Sequence, residues 1–428
     1  IAGLVLALAP KREQQMRTYQ HAKSTDYLGR YYTQSLISRF LVEHLPAEQP
    51  GAVLDLGAGE GALTIAASSK WSDAALITVD VDVEALSVLT HRLKCGGFKG
   101  HHHHFPQDAL GAGLRSVLTR YNCALPGVAV CNPPFLVNEW RKEYSEIIED
   151  AGFSGSLPAI TSTDAAVLFL AQNLRLIADG GSVGIIVPDS LVCADKYLRF
   201  RASLLEKYQI LHAIRLPRGS FAGTDALAHI LILSKRLPTS DFVHLSCLPS
   251  KGGLTHTIDV HRDRAIRRLD YAYHASEMTG SDGLTKLGDV VIDLRRGTLN
   301  SAEVRSAESF VLHTTDITTE MHGKWTDFSR RFYKPSNGSL STTIAEPGDM
   351  ILARVGRNAA GKVIGISKGH VMFSDCLYRL RILPEYREQV LRCLASEAGE
   401  RWLEMHAYGV AARHISKSDL LNFPLDCP

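Results

Sequence analysis

Short apolar runs alternate with amphipathic helical patterns through the first half of the chain, which is typical of an α/β protein. The apolar runs have strand length and end at Gly, Pro or Asp, so they predict buried strands. Strands are predicted over residues 52–56, 75–79, 128–131, 182–187, 211–216 and 228–233, and helices over 36–45, 164–174 and 197–205. The sequence therefore predicts a doubly wound, Rossmann-like sheet.

The last two of these strands are joined by a short loop, which favours an antiparallel hairpin at the edge of the sheet. The loop begins Pro217-Arg218-Gly219-Ser220-Phe221 and so carries an aromatic ring among basic and small residues. From the residues alone, Phe221 is equally well a core residue of the hairpin and a stacking surface.

With 428 residues, the chain is longer than one average domain. Changes in periodicity predict an N-terminal helical segment over 1–48, an α/β domain over 49–240, a connector over 241–283 with one basic helix near 262–269, and a C-terminal domain over 284–428. In the last domain, short strands are predicted at 290–294, 350–355, 363–366 and 378–382, and a helix at 385–403. This mixture predicts an α+β domain.

Composition narrows the environment of the chain. No uncharged apolar run approaches the roughly 18 residues of a membrane span, so no membrane association is expected. The eight cysteines are scattered and lack CxxC pairs, which fits a reducing cytosol. The net charge is only +2, but residues 199–270 hold twelve Lys and Arg against six Asp and Glu, a local excess that suits a nucleic-acid partner.

A glycine-rich turn follows the first predicted strand. Gly57 and Gly59 allow a ligand to lie against the backbone, as in pyrophosphate-binding loops. Asp55 precedes them, however, and a carboxylate at this position repels phosphate but pairs with a cationic amino group such as that of a methionine moiety. The turn therefore favours a ligand with a positively charged end.

Two further carboxylates follow strand ends. Asp80 ends the second strand, where a doubly wound fold places an acid for ribose hydroxyls. Asp108, followed by Ala109, comes shortly after Phe105 and suits an adenine amino group. The carboxyl ends of parallel strands meet at one edge of a sheet, so the three acids predict one nucleoside-like ligand.

The predicted strand over residues 128–131 runs into Asn132-Pro133-Pro134-Phe135. The prolines stop the strand and make the turn stiff. The Asn132 side-chain oxygen and the Pro133 carbonyl can both accept hydrogen bonds from one exocyclic amino group, while Phe135 offers a face for a planar base. These features suit an aromatic amine that is to be alkylated, although Asn-Pro-Pro-Phe alone also fits a turn with a buried Phe. Cys131 is interpreted as a strand residue, and no Cys nucleophile follows a proline here.

Four adjacent histidines, His101 to His104, are a weak candidate for a metal site. Neighbouring residues of a strand point to alternate faces, and no Cys or carboxylate stands at a recognisable ligand spacing. We therefore predict no metal there and interpret the run as a loop or the start of a strand.

These motifs resemble the gamma class of DNA N6-adenine methyltransferases over roughly residues 28–235. The matching positions are Tyr32 and Thr33 beside the cofactor, Asp55, Gly57 and Gly59 at its methionine end, Asp80 at the ribose, Asp108 and Ala109 at the adenine, Asn132 to Phe135 in the catalytic motif, and Phe221 as a second stacking ring. The resemblance also implies that Pro134 contacts the cofactor. The family commonly has Tyr where this chain has Phe135, which keeps the stacking face.

The C-terminal part resembles one target-recognition domain of type I specificity subunits. The resemblance is carried by Leu287-Gly288-Asp289, by residues 347–356 and by residues 409–415 with 420–424. Arg295, Arg296, Arg354 and Arg357 are the expected DNA contacts. There is room for one such domain, whereas those subunits use two to read two half-sites.

The two resemblances imply a site-specific enzyme that moves a methyl group from S-adenosylmethionine to N6 of a flipped adenine in double-stranded DNA, in restriction-modification or a related defence system. They also imply a location in the cytoplasm of a bacterium, in association with the nucleoid. A restriction or specificity subunit and a second copy of the chain remain open as partners. Related motifs serve methyltransferases of protein glutamine and of structured RNA, so these alternatives stay open. A non-catalytic DNA specificity subunit is a third, against which the three acids and Asn132 argue.

Overall fold

The computed structural model describes residues 35–46, 49–111, 113–120, 125–157, 162–221, 226–249, 253–278, 284–331, 344–356, 359–409 and 412–425. Tyr32, Thr33 and Arg357 lie outside these ranges. None of the helices within them has the length and apolar character that crossing a membrane requires.

The strands of the first 270 residues are β1 (Ala52–Leu56), β2 (Ala75–Val79), β3 (His102–Phe105), β4 (Val128–Cys131), β5 (Val137–Glu139), β6 (Ser162–Asp164), β7 (Ser182–Pro188), β8 (Gln209–Arg215), β9 (Ala228–Ser234), β10 (Phe242–Cys247) and β11 (Ile258–His261). The helices are α1 (Ser35–Glu43), α2 (Ala62–Lys70), α3 (Val83–Cys95), α4 (Leu114–Arg120), α5 (Glu143–Asp150), α6 (Ala165–Leu176), α7 (Asp189–Cys193), α8 (Leu198–Lys207) and α9 (Arg262–Ala265).

Nine of these strands form one sheet in the order β11-β10-β8-β9-β7-β4-β1-β2-β3. Strands β3, β2, β1, β4 and β7 are parallel to one another, and β9 runs antiparallel between β7 and β8. Apolar clusters cover both faces, one including α6 and the other α1 and α2. The predicted Rossmann-like α/β sheet is therefore confirmed.

Two sequence predictions about this sheet are wrong. The antiparallel pair β8 and β9 exists, but it does not lie at the edge, because β10 pairs with β8 and β11 pairs with β10. Both added strands come from the stretch 241–283, which was predicted to be a connector. Exposed and buried residues alternate over Phe242–His244 and across β11, so neither strand has the continuous apolar run that marked the central strands.

The C-terminal part forms further sheets and helices. Its strands are β12 (Val291–Arg296), β13 (Val311–Leu312), β14 (Trp325–Asp327), β15 (Ile344–Ala345), β16 (Asp349–Ala353), β17 (Val355–Gly356), β18 (Val363–Lys368), β19 (Val371–Phe373), β20 (Leu377–Ile382) and β21 (Arg413–His414). Helix α10 (Tyr271–Met278) precedes them, and α11 (Leu287–Val290), α12 (Ser301–Ser306), α13 (Arg387–Ala395), α14 (Glu397–His406) and α15 (Lys417–Leu421) accompany them. A five-stranded sheet in the order β12-β20-β16-β18-β14 is the largest.

The single helix predicted over 385–403 is two helices. Ser396 separates them and caps α14, because its side chain accepts a hydrogen bond from the Gly399 amide at 3.0 Å. A Cβ atom at Gly399 would lie 2.0 Å from the Cys393 carbonyl, so only glycine allows this sharp junction.

Several arginines expected to contact DNA have partners inside the chain. Arg295 pairs with Asp293 at 2.9 Å, and Arg296 pairs with Asp375 at 2.7 Å. Arg354 donates to the Asp375 carbonyl at 2.9 Å. A DNA phosphate would have to compete with these acceptors.

Candidate active site

The site lies where the order of the parallel strands reverses, between β1 and β4. Open α/β sheets hold their ligands in this crevice, at the carboxyl ends of the strands. A cavity of about 390 Å³ opens there, a size typical of small-molecule sites. The predicted residues that line it are Asp55, Gly57, Gly59, Asp80, Asp108, Ala109, Asn132 and Pro134. Pro133, Phe135 and Phe221 are not among its lining residues.

The glycine turn is held against the end of β2. Gly57 and Gly59 have φ of +73° and +50°, the left-handed region that favours glycine. The Gly57 amide donates to the Val79 carbonyl at 2.8 Å, and the Gly59 amide donates to the Asp80 carboxylate at 2.7 Å. Asp80 therefore braces the turn as well as lining the cavity, and its other oxygen accepts from the Asp82 amide at 2.8 Å.

Asp55 is a buried acid at the floor of the cavity. Its carboxyl accepts a hydrogen bond from the Thr64 hydroxyl at 2.5 Å. Burial raises the pKa of Asp55 to about 7; the Thr64 bond works against this shift and the charge of Asp80 adds to it. Within the described part of the chain, no cationic side chain is among the groups that shift this pKa.

We expect Asp55 to make stability depend on pH. Its pKa is about 7 in the folded chain against an ordinary 3.8, so its contribution is fully present below about pH 4 and is lost as the pH rises through about 7. In this window the free energy of unfolding of the wild type, relative to Asp55→Asn, should fall by up to about 1.4 kcal/mol per pH unit.

Urea unfolding at several pH values measures this difference, and Asp73→Asn, at an exposed carboxyl, controls for the substitution itself. A constant difference between wild type and Asp55→Asn would mean that Asp55 has no raised pKa.

Asp108 stands at the open side of the cavity. One of its oxygens accepts from the Leu110 amide at 2.9 Å, and the other pairs with Arg141 at 3.1 Å. About half of each side chain of this pair is exposed, so the pair contributes little stability. A ligand amino group can therefore share the Asp108 carboxylate with Arg141 at small cost.

The strand that leads to Asn132 is fully buried. The Cys131 thiol donates to the Leu56 carbonyl at 3.2 Å, and burial raises its pKa well above the usual range, so Cys131 is a packed strand residue as predicted. After the prolines, the Leu136 amide donates to the Pro134 carbonyl at 3.0 Å and closes a tight turn. This turn sets Asn132 at the cavity.

The two predicted stacking rings contact each other. Phe135 and Phe221 have ring centroids 5.7 Å apart at an interplanar angle of 71°, an edge-to-face pair. Phe221 is only 2% exposed and belongs to the core cluster on that face of the sheet. In this arrangement no gap for a base lies between the rings.

Several cavity residues were missed by the sequence predictions. Phe169 lies on α6, and its ring is 3.3 Å from where a Cβ of Gly57 would stand. Arg141, Asn138 and Tyr144 also line the cavity. Arg141 and Tyr144 follow the Asn-Pro-Pro-Phe motif closely, and this proximity was the available signal; Phe169 looks like an ordinary core residue of a helix.

Three of the four adjacent histidines, His102 to His104, lie in edge strand β3. His102 and His104 lie on one face, and both rings contact the Thr78 hydroxyl, each at 2.8 Å. In the described ranges, a close group of three potential metal ligands occurs elsewhere, at Asp189, Cys193 and His229.

Two known proteins are similar in sequence to part of this chain. The chain is 24% identical over 252 residues to the type I restriction enzyme EcoEI methylase subunit of Escherichia coli, covering 54% of this chain and 46% of that protein. It is 26% identical over 211 residues to the type II methyltransferase M.XamI of Xanthomonas campestris pv. amaranthicola, and the match covers 47% of this chain and 38% of that protein. The chain thus spans less than half of the length of these relatives.

One similar solved structure is that of the type IIG restriction endonuclease BpuSI. The match covers 91% of this chain and 57% of the BpuSI chain, with 14% sequence identity and a TM-score of 0.49. The model of the N-6 DNA Methylase family matches residues 10–246, more than half of the chain. That range includes the glycine turn, the three acids, the Asn-Pro-Pro-Phe motif and Phe221. The chain therefore belongs to the N-6 DNA Methylase family.

Proposed function

We propose that the chain transfers a methyl group from S-adenosylmethionine to N6 of an adenine in double-stranded DNA. The observation that carries this proposal is the shared cavity, in which Asn132 of the Asn-Pro-Pro-Phe motif stands together with Asp55, Asp80 and Asp108. The acids suit a cationic nucleoside cofactor, and Asn132 suits the amine that receives the methyl group. Membership of the family supports both assignments.

The residues present fit the cofactor. Asp55 is a buried carboxyl, and among the described residues no cationic side chain shifts its pKa, so the ammonium group of the cofactor would supply the countercharge. Asp80 and Asp108 retain acceptor capacity for ribose hydroxyls and for an adenine amino group. When bound, S-adenosylmethionine supplies an electrophilic methyl group on a sulfonium.

Asn132 and the Pro133 carbonyl are proposed to bind the target amine. Their oxygens would accept hydrogen bonds from both N–H groups of N6, which draws the nitrogen lone pair out of conjugation with the ring and aims it for attack. The target base has to leave the duplex to reach them. Phe135 and Phe221 would hold the flipped base, and since their rings now contact each other, at least one ring has to move for this to happen.

The C-terminal part, from about residue 284, is proposed to select the DNA sequence in a restriction-modification system. The resemblance to type I specificity domains supports this division. Exposed Arg295 and Arg296 lie on strand β12 and remain candidate contacts, in competition with Asp293 and Asp375. Association with a restriction or specificity subunit would complete such a system.

Nucleoside mass spectrometry tests the reaction. DNA incubated with the chain and isotopically methyl-labelled S-adenosylmethionine should yield labelled N6-methyladenine and no labelled N4-methylcytosine. RNA and protein fractions of the same host serve as competing substrates. Label that entered structured RNA or protein glutamine, with none in DNA, would contradict the proposal.

A further inference from the structure

A buried polar cluster joins the nine-stranded sheet to the C-terminal part. Asp189, at the end of β7, accepts a hydrogen bond from His229 Nε2 at 2.8 Å on one oxygen and from the Gly409 amide at 2.7 Å on the other. Asp189 and His229 are 3% and 0% exposed. The carboxylate thus ties strand β9 to Gly409, which lies 220 positions after Asp189 in the chain.

Buried ion pairs continue the cluster. Arg268 pairs with Asp270, donates to the His406 carbonyl at 2.7 Å and lies 3.5 Å from Asp419. The Cys193 thiol donates to Asp270 at 3.3 Å. These groups fix the C-terminal part against the sheet beside Asp189.

The cluster joins the nine-stranded sheet to the C-terminal part and is not a metal site. Asp189, Cys193 and His229 lie close enough to bind an ion, but both Asp189 oxygens already accept hydrogen bonds and the thiol donates to carboxylates. Burial raises the pKa of Asp189, but the bond and charge of His229 and the charge of Arg215 outweigh burial and leave this pKa below its ordinary value. Asp189 is therefore an ionised carboxylate whose charge the protein itself compensates.

Asp189 lies against the strand ends that flank Phe221. Its amide donates to the Leu227 carbonyl at 3.0 Å, and the Leu216 amide donates to the Ala228 carbonyl at 2.9 Å, which closes the β8–β9 hairpin. His229 follows directly. Through Leu227 and His229, Asp189 holds the base of the loop from which Phe221 packs on Phe135.

On the C-terminal side of the tie, the position of Gly409 tolerates only glycine. Gly409 has φ of +130°, and a Cβ there would lie 2.4 Å from the Ala412 carbonyl. Paired hydrogen bonds, at 2.8 and 2.6 Å, join the neighbouring Tyr408 to His414. Strand β21, which contains His414, pairs with β17 of the C-terminal part.

We infer that Asp189 is a positioning residue through which the C-terminal part of the chain holds the Phe221 hairpin in register with the Asn-Pro-Pro-Phe motif. This inference deepens the proposed function and rests on it for its catalytic consequence. Docking of the C-terminal part and order of the stacking ring are then one coupled event, joined by the Gly409–Asp189–His229 hydrogen bonds.

Hydrogen–deuterium exchange on the full chain, without cofactor or DNA, tests the coupling from both ends. Asp189→Asn has one side-chain acceptor for two N–H donors, so one donor loses its partner, and Gly409→Ala displaces the amide from the other side. Each variant should raise exchange over residues 213–221 and 226–232 about tenfold or more. Strands β1 and β4 should keep wild-type protection.

The double variant should exchange no faster than the faster single variant, because both changes break the same tie. Arg267→Ala is the matched control: it removes the pairing of Arg267 with Asp419 at 3.0 Å in the same interface and leaves Asp189 untouched, so the hairpin should keep wild-type exchange. Unchanged exchange in Gly409→Ala, or a uniform rise over the whole sheet in either variant, would overturn the inference. If Asp189→Asn does not fold, Gly409→Ala alone decides.

Kinetics supply the second readout. Asp189→Asn should lower kcat about tenfold while KM for S-adenosylmethionine stays at the wild-type value, because the tie does not touch the cofactor cavity. A changed KM with unchanged kcat would contradict the positioning role. Should the wild type methylate no DNA, the proposed function fails, whereas the exchange experiment still decides the coupling.

Discussion

Asn132→Ala is expected to lower the rate of methyl transfer to DNA by about 100- to 1,000-fold, the usual effect of removing a preorganised hydrogen-bonding group from a reacting centre. The Asn132 amide oxygen is proposed to hold one N6 proton, and alanine leaves that proton without its acceptor. Cofactor affinity should change little, because Asp55, Asp80 and the glycine turn remain. Single-turnover kinetics with labelled cofactor, together with calorimetry, separates the two effects.

Asn138→Ala is the matched control for this substitution. Asn138 has the same side chain and lines the same cavity, but it stands on β5 beyond the Asn-Pro-Pro-Phe turn. We expect this variant to keep methyl transfer within a few-fold of wild type. Equal losses in the two variants would mean that Asn132 has no special role.

Asp80→Ala is expected to weaken binding of S-adenosylmethionine by roughly 10- to 100-fold, since hydrogen bonds to a charged group contribute about 1.5–3 kcal/mol. Two losses combine here: the proposed contact to ribose, and the 2.7 Å bond that braces the Gly59 amide. Calorimetric titration of the full chain measures the dissociation constant.

Asp80→Asn separates these two losses. The Asn oxygen can still accept from the Gly59 amide, so the turn keeps this bond while the negative charge and the acceptor of the Asp82 amide are lost. We expect an affinity between those of wild type and Asp80→Ala. Wild-type affinity in both variants would remove Asp80 from the cofactor site.

The central strands were predictable from the sequence because burial on both faces produces unbroken apolar runs. β1, β4, β7 and β9 are buried along their whole length. β10 and β11 were missed because exposed and buried residues alternate in them, and residues such as Phe242 and His244 interrupt any apolar run. The break at Ser396 was missed for a different reason, since Gly399 fits a tight backbone contact that helical periodicity does not encode.

The site residues that follow strand ends were predictable, because the carboxyl ends of parallel strands meet at one edge of the sheet. Asp55, Asp80, Asp108 and Asn132 follow separate strands and line one cavity. Phe169 was not predictable, because its approach to Gly57 depends on how α6 packs across the sheet.

The local excess of basic residues was a misleading signal for nucleic-acid binding. Residues 199–270 hold an excess of basic side chains, but Arg201 is 1% exposed and donates to backbone carbonyls, including that of Leu191 at 3.1 Å. Arg268 is 2% exposed and belongs to the buried cluster. This part of the excess holds the fold together and does not face a nucleic acid.

The same cluster bears on the proposed division of labour. Deleting the chain from residue 284 onward would remove Gly409 and Asp419, the partners of buried Asp189 and Arg268. Uncompensated buried charges are costly, so loss of activity in such a truncation would say nothing about sequence selection. Substitution of exposed arginines in the intact chain is the informative route.

The central claim is that the chain methylates adenine in DNA through Asn132. Its most direct test is single-molecule methylome sequencing of a methylation-free host that expresses either the wild-type chain or Asn132→Ala. We predict N6-methyladenine at one recurring sequence motif in the wild-type host and its absence in the variant host, with equal amounts of protein in both. A wild-type host without N6-methyladenine, or the same methylated motif with Asn132→Ala, would contradict the account.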